Sequence, residues 1–261
     1  MVKYGRQSTV DFLAEFGVPS LIAIGLYEKY LEPIAFYLLD LNWNIALPYI
    51  PQRYIDEMQG IVDGSGGKVD ADLLRRVNMI PELTQAACSV IGAWGPSTAD
   101  NSLLHLRALD WDGNAPISQY PAVVIYEPTE EGSNTFANIG YVGLIGVLTA
   151  MSKKGISAGE KVYYDIQGDG AKKTYFGEPW MWVLRDTVQF SNNLADVEER
   201  LNAADRTMMI HNGWGSAPDN SFRGADYSKE WVKFYDDKNW IAPFTDAHPQ
   251  MDGIFFYDKF C

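Results

Sequence analysis

Cysteine is scarce in this chain. Two in 261 residues, Cys88 and Cys261, cannot staple a disulfide-built scaffold, so the fold must rest on a hydrophobic core. Histidine is scarcer than its usual roles require. His105, His211 and His248 lack metal-ligand spacing, and no His-Glu-x-x-His occurs, so no metal centre is expected. The glycine loop Gly64 to Lys68 is no phosphate loop, because Val62 and Val69 stand where the motif needs Gly and Ser or Thr. Nothing here points to a cofactor. Basic residues are outnumbered, 21 Lys and Arg against 34 Asp and Glu, for a net charge of −13. Such a surface repels phosphate backbones and anionic bilayers, which argues against nucleic acid as a partner. Uninterrupted apolar runs are lacking too. Residues 18–50 are rich in Leu, Ile, Tyr and Trp, but Glu28, Lys29, Glu32, Pro33, Asp40 and Pro48 break any span of about 20 residues that could cross a membrane. Met1 to Phe16 carries Lys3, Arg6, Asp11 and Glu15 and has no signal-peptide core, and no Asn-x-Ser/Thr acceptor is found.

What the chain does have is apolar content, 47% of its residues, enough for one large core. Helical spacing is expected over Ser20 to Leu39, Pro51 to Val62 and Asp70 to Asn78. From Cys88 the pattern turns to strands: Tyr120 to Glu127, a pair or glycine-broken strand over Ala137 to Ala150, and Gly155 to Asp165. Helices return at Trp180 to Ser191 and at Leu194 to Ala204, the second preceded by capping asparagines. After residue 205 come aromatic, glycine-rich segments able to supply further strands. Strand pairs followed by helices indicate an α+β fold with a helix-covered sheet.

The most informative stretch is a predicted hairpin. Gln85 to Gly95 and Leu103 to Asp112 read as strands around the polar loop Gly95 to Ser102. A loop centred between Thr98 and Ala99 puts Cys88 opposite Leu109, with Arg107 on the same face and Asp110 at the strand end. Read from the residues alone, Cys88 is either a nucleophile, a buried structural thiol or a partner of Cys261. Arg107 and Asp110 are either site residues or a salt bridge closing the hairpin. A papain-like pairing of Cys88 with His211 or His248 would leave Arg107 and Asp110 unexplained. His105 shares the face of Arg107 and reads as structural.

Cysteine at a strand start followed by Arg107-x-x-Asp110 on the next strand resembles the N-terminal-nucleophile (Ntn) cysteine hydrolases of the acid ceramidase, penicillin acyltransferase and choloylglycine hydrolase group. Gly60 to Gly64, Asn138 to Gly143, Met151 to Ile156 and the helix around Arg185 follow in the same order, so the resemblance spans roughly residues 50 to 200. It implies a four-layer αββα sandwich preceded by a helical pro-segment, residues 1–87, and a catalytic region, residues 88–261, whose last strands would lie beyond Cys261. It implies self-cleavage before Cys88, after which the new α-amino group activates the thiol and the two fragments remain together as a heterodimer. The implied activity is hydrolysis of a non-peptide linear amide, an N-acyl amine of ceramide or N-acylethanolamine type. Acyl transfer to a small amine and a non-catalytic lipid-binding role are the alternatives. Cys88, Arg107 and Asp110 would be catalytic. Asn138, Ser152 and Arg185 would contact substrate or the oxyanion, Ser152 standing where relatives of the bile-salt hydrolase type carry asparagine. The group is usually lysosomal or secreted, an address this stretch of sequence does not itself carry.

Overall fold

The computed structural model describes residues 32–83, 87–110, 116–162, 174–239, 245–246 and 249–257. Three helices come first. α1 (Glu32–Ala46) carries Pro33 in its first turn, where a missing N–H costs no hydrogen bond, and buries Leu39, Trp43 and Ala46. The portion of the expected helix before Glu32 lies outside the described residues. α2 (Gln52–Gly64) buries Tyr54 and Met58. α3 (Ala71–Leu83) opens with the Asp70 carboxylate accepting the Leu73 N–H (2.7 Å).

Helix α3 runs beyond the end predicted at Asn78 and through Pro81. The reason is tertiary. Asn78 is buried, donating to the Leu74 and Gly143 carbonyls (3.0 and 2.8 Å) and accepting the Ile145 N–H (2.9 Å), so it ties the helix down instead of ending it.

The strands form two antiparallel sheets. β1 (Ala87–Ala93) lies between β2 (Leu104–Asp110) and β10 (Ile254–Tyr257) in the smaller one. The larger runs in sequence order through β3 (Pro121–Tyr126), β4 (Phe136–Tyr141), β5 (Thr149–Ser152), β6 (Ile156–Val162), β7 (Ile210–Ser216), β8 (Ser221–Tyr227) and β9 (Val232–Tyr235). Between β6 and β7 the chain forms α4 (Trp180–Phe190) and α5 (Leu194–Ala203). Asn193 caps α5 through its side-chain oxygen, which accepts the Asp196 N–H (2.9 Å).

α4 packs on β5 and β6, α5 on β7 and β9, and α1 and α2 on α3. One core joins α1–α3 to α4 and the large sheet, with Tyr54 of α2 stacked on Trp182 of α4 (5.7 Å between ring centres). The smaller sheet covers the opposite face, β1 over β6 to β8 and β10 over β8. These are two stacked sheets with helices outside the larger one, an α+β sandwich. The outer face of the smaller sheet presents Ile91, Leu104 and Leu106 to solvent.

Two glycines set how closely the sheets approach. A Cβ on Gly92 of β1 or on Gly213 of β7 would lie 2.2 or 2.5 Å from the Phe222 ring, which fills the space between them and is fully buried.

Candidate active site

The β1–β2 hairpin takes the register expected from its loop. Cys88 faces Leu109, Val90 faces Arg107 and Ala87 faces Asp110. Side chains alternate along a strand, so Cys88 and Arg107 share the face turned toward the large sheet. The thiol is wholly buried, and Arg107 Nη2 donates to Cys88 Sγ at 3.2 Å.

Glu160, from the middle of β6, completes this group. Its carboxylate forms a buried ion pair with Arg107, its carbonyl accepts from Arg107 Nε (3.2 Å), and its Oε1 accepts from the Cys88 thiol at 3.8 Å. Sequence reasoning missed Glu160. The available signal was a carboxylate in the interior of an expected strand, where such a group is buried only with a partner. Burial raises its carboxyl above the usual range, and Arg107 opposes that shift. Burial, and then the Glu160 charge, push the Cys88 thiol up to about 12. The thiol is therefore protonated, in contact with the Glu160 carboxylate.

Asp110 ends β2 with its side chain exposed, across from Ala87 and so beside the bond that joins Ala87 to Cys88. A backbone hydrogen bond from Asp110 also reaches the thiol. Residues 111–115 lie outside the described residues, as do Cys261 and His248.

The other expected site residues are engaged elsewhere. Asn138 Nδ2 donates to the Gly146 carbonyl (3.0 Å). Ser152 Oγ accepts the Ile156 N–H (3.3 Å) in the β5–β6 turn, where Gly155 supplies a φ of +82°. Arg185 sits on α4, forked onto Glu57 of α2 (3.1 and 2.6 Å) and donating to the Ile145 carbonyl (2.9 Å), with its guanidinium over Tyr126 (4.2 Å) and Tyr54 (4.9 Å). It joins α2 to α4. Asn212, on β7 directly paired with Glu160, is buried and accepts from Trp214 Nε1 (2.6 Å), while its Nδ2 has no hydrogen-bond partner among the described residues.

The histidines are also accounted for. His105 Nδ1 lies 2.8 Å from Ser157 Oγ, and burial, aided by Arg107, lowers its ring to about 4, so it stays neutral. His211 pairs with Asp226 across β7 and β8 (2.6 Å). Among the described residues no group of three or more His, Cys, Asp or Glu could hold a metal ion, and no helix is long and apolar enough to cross a membrane.

No protein-family model matches the chain. It is 34% identical over 232 residues to protein dcd1A of Dictyostelium discoideum, covering 85% of this chain and 51% of that one. To protein dcd1B of the same organism it is 32% identical over 227 residues, covering 83% and 44%. The chain thus spans about half the length of these curated relatives. An uncharacterized protein of Archaeoglobus fulgidus is 25% identical over 179 residues, covering 60% and 29%. Among solved structures it is similar to the Caenorhabditis elegans ortholog of N-acylethanolamine-hydrolyzing acid amidase, with a TM-score of 0.45, 13% identity and coverage of 66% and 69%. A second is a mutant of the conjugated bile acid hydrolase from Clostridium perfringens, with a TM-score of 0.40, 14% identity and coverage of 62% and 55%.

Proposed function

We propose that this chain is the precursor of a cysteine amidohydrolase that breaks its own Ala87–Cys88 bond and then cleaves a non-peptide N-acyl amine through a thioester on Cys88. The observation that carries the reading is the contact of the Cys88 thiol with both members of the buried Arg107–Glu160 pair. A buried ion pair is weak evidence for stability, since desolvation offsets much of the attraction. Its position around a strand-initial cysteine favours a chemical role.

In the precursor, the Cys88 nitrogen is an amide and cannot serve as a base. Glu160, made more basic by burial, takes the thiol proton. Sγ then attacks the Ala87 carbonyl carbon, the carbon–nitrogen bond breaks with a proton going to the Cys88 nitrogen, and water hydrolyses the thioester. The freed α-amino group, with a pKa of about 7.7–8.0 in model compounds, becomes the base for each later turnover. Asp110, at the strand end across from Ala87, holds that amine, and Arg107 keeps the sulfur aligned. Substrate acylates Cys88, the amine leaves with a proton, and water releases the acid. Asn212 Nδ2 is an available oxyanion donor beside Glu160.

Residues 1–87 and 88–261 stay together after the cut. The core shared by α1–α3 and α4 supports that, together with the Arg185–Glu57 pair. An acidic lysosomal or secretory setting is the one the family resemblance implies.

The test is intact mass and N-terminal sequencing after incubation at acidic and neutral pH. The larger fragment is expected to begin Cys-Ser-Val-Ile-Gly-Ala-Trp. A folded chain that stays whole under every condition would leave a binding role, and a different new terminus would remove Cys88 as the nucleophile.

A further inference from the structure

Glycine inside a strand needs a reason, because it weakens the strand and offers no side chain to pack. Gly159 lies in the middle of β6, paired with Thr149 of β5 and Gly213 of β7, and its φ is not positive, so its backbone does not call for glycine. The space above it does. A Cβ there would lie 2.9 Å from Arg107 Cγ, 3.1 Å from Arg107 Cβ and 3.1 Å from His105 Nε2. Neither neighbour gives way easily. The overlap falls on the root of the Arg107 side chain rather than on its flexible end, and the His105 ring is held by Ser157 (2.8 Å) and Phe222 (4.8 Å between ring centres). The same fit recurs beside it: Arg107 faces Val90 across the hairpin, and a Cβ on Gly213 would lie 2.4 Å from Val90 Cγ1, so the Val90–Arg107 pair rests on the Gly159–Gly213 pair. With its stem flat on Gly159, Arg107 carries its head one residue further along β6. Nε reaches the Glu160 carbonyl (3.2 Å), and Nη2 reaches the Glu160 carboxylate and the Cys88 sulfur (3.2 Å). Among the glycines of the described strands, Gly159 is the one whose missing side chain makes room for the stem of a charged residue.

We infer that Gly159 is a positioning residue: it seats the Arg107 stem against β6 and so aims the guanidinium at Cys88 and Glu160. This role rests on the amidase reading above and adds to it a residue that touches neither substrate nor sulfur. A side chain at 159 would lift the stem by up to about 1 Å, the shortfall from an ordinary carbon–carbon contact of roughly 3.5–4.0 Å. A misplacement of that size costs on the order of 10²-fold in rate. It also changes Glu160. Burial raises that carboxyl, and of the groups that hold it down, Arg107 of β2, the Cys88 thiol of β1 and Lys161 of β6, Arg107 acts most. Drawing the guanidinium away therefore lets the carboxyl rise further.

The experiment starts from the intact chain carrying Cys88→Ala, with the Glu160 carboxyl followed by carbon-13 NMR and assigned through Glu160→Gln. Gly159→Ala is expected to move the Glu160 titration upward by about one pH unit or more and to lower the melting temperature. In an Arg107→Ala, Glu160→Gln background, which removes the stem without leaving a buried charge unpaired, the same substitution is expected to leave the melting temperature unchanged. With Cys88 restored, Gly159→Ala slows self-cleavage about a hundredfold or more. A raised Glu160 titration, with a melting loss that vanishes once the stem is gone, upholds the seat even if the parent chain never cuts itself, in which case only the amidase reading falls. A parent that cuts and a Gly159→Ala chain that cuts at the parent's rate overturn it and leave the amidase standing. An unmoved Glu160, or an equal melting loss with and without the stem, makes Gly159 a packing glycine of the sheet and overturns it too. Should Gly159→Ala fold only after the stem is removed, the seat is upheld; should it fold in neither background, the seat is overturned.

Discussion

Glu82 gives a pH-dependent stability whose sign follows from its surroundings. It lies on α3, five residues before the Ala87–Cys88 pair, and is fully buried. Its Oε1 accepts the Trp180 N–H at the start of α4 (2.6 Å) and the Thr207 hydroxyl (2.9 Å), while its Oε2 has no hydrogen-bond partner among the described residues. Burial raises its carboxyl from 4.5 to about 8, more than the two hydrogen bonds lower it. Between those values the unfolded chain releases a proton that the folded chain keeps. Stability therefore falls as pH rises across that window, by about 1.4 kcal/mol per pH unit from this one group. From pH 4.5 to pH 7 the loss is roughly 3 kcal/mol, a large share of an ordinary domain's stability. The perturbation is Glu82→Gln, which keeps the acceptor oxygen and cannot ionise. The assay is urea unfolding at several pH values between 4.5 and 7.5, in a Cys88→Ala background so that the chain stays whole. The difference between the two proteins isolates Glu82 from all other titrating groups. The variant is expected to gain on its parent steadily with pH, by roughly 3 kcal/mol at pH 7 relative to pH 4.5. A difference that stays flat, or that shrinks with pH, would refute the buried neutral acid.

Three further outcomes are expected. Cys88→Ala abolishes self-cleavage and turnover while costing about 1 kcal/mol or less in thermal melts, whereas a bridge to Cys261 would make both cysteine variants lose roughly 2–5 kcal/mol alike. Asp110→Asn lowers amide turnover by roughly 10²–10⁴ with little change in melting temperature, because the exposed carboxylate bears on the amine rather than the core; unchanged turnover would return it to a hairpin salt bridge. Glu160→Ala both blocks self-cleavage and destabilises by about 3–5 kcal/mol, since Arg107 is left buried without its counter-charge, and a normally cut variant would remove Glu160 as the proton acceptor.

The hairpin was legible because everything that fixes it is local. A polar loop of eight residues flanked by two apolar runs determines which residues face each other, and Cys88 opposite Leu109 follows. Glu160 was not legible, because it arrives from 72 residues away by a sheet order that no short-range pattern encodes. Arg185, expected at the substrate, instead bonds Glu57, and an arginine within an apolar helix reads the same either way in sequence. β8 went unmarked because Arg223 and Asp226 interrupt its pattern, yet Asp226 is buried against His211. The third helix was expected to reach only Asn78, whose partners at Gly143 and Ile145 lie elsewhere in the chain.

A chain terminus is ordinarily the first part of a protein to fray, which would be ruinous for a catalyst whose base is its own terminal amine. β1 avoids this by lying in the middle of its sheet. Hydrogen bonds to β2 run back to Ala87, β10 flanks Val90 to Ala93 on the other side, and the Phe222 ring wedged against Gly92 leaves no room for the strand to slide. Cutting the chain before Cys88 would therefore create an end without creating slack. The new amine would be anchored from its first residue, in a place that a free terminus could hardly have reached by folding there on its own.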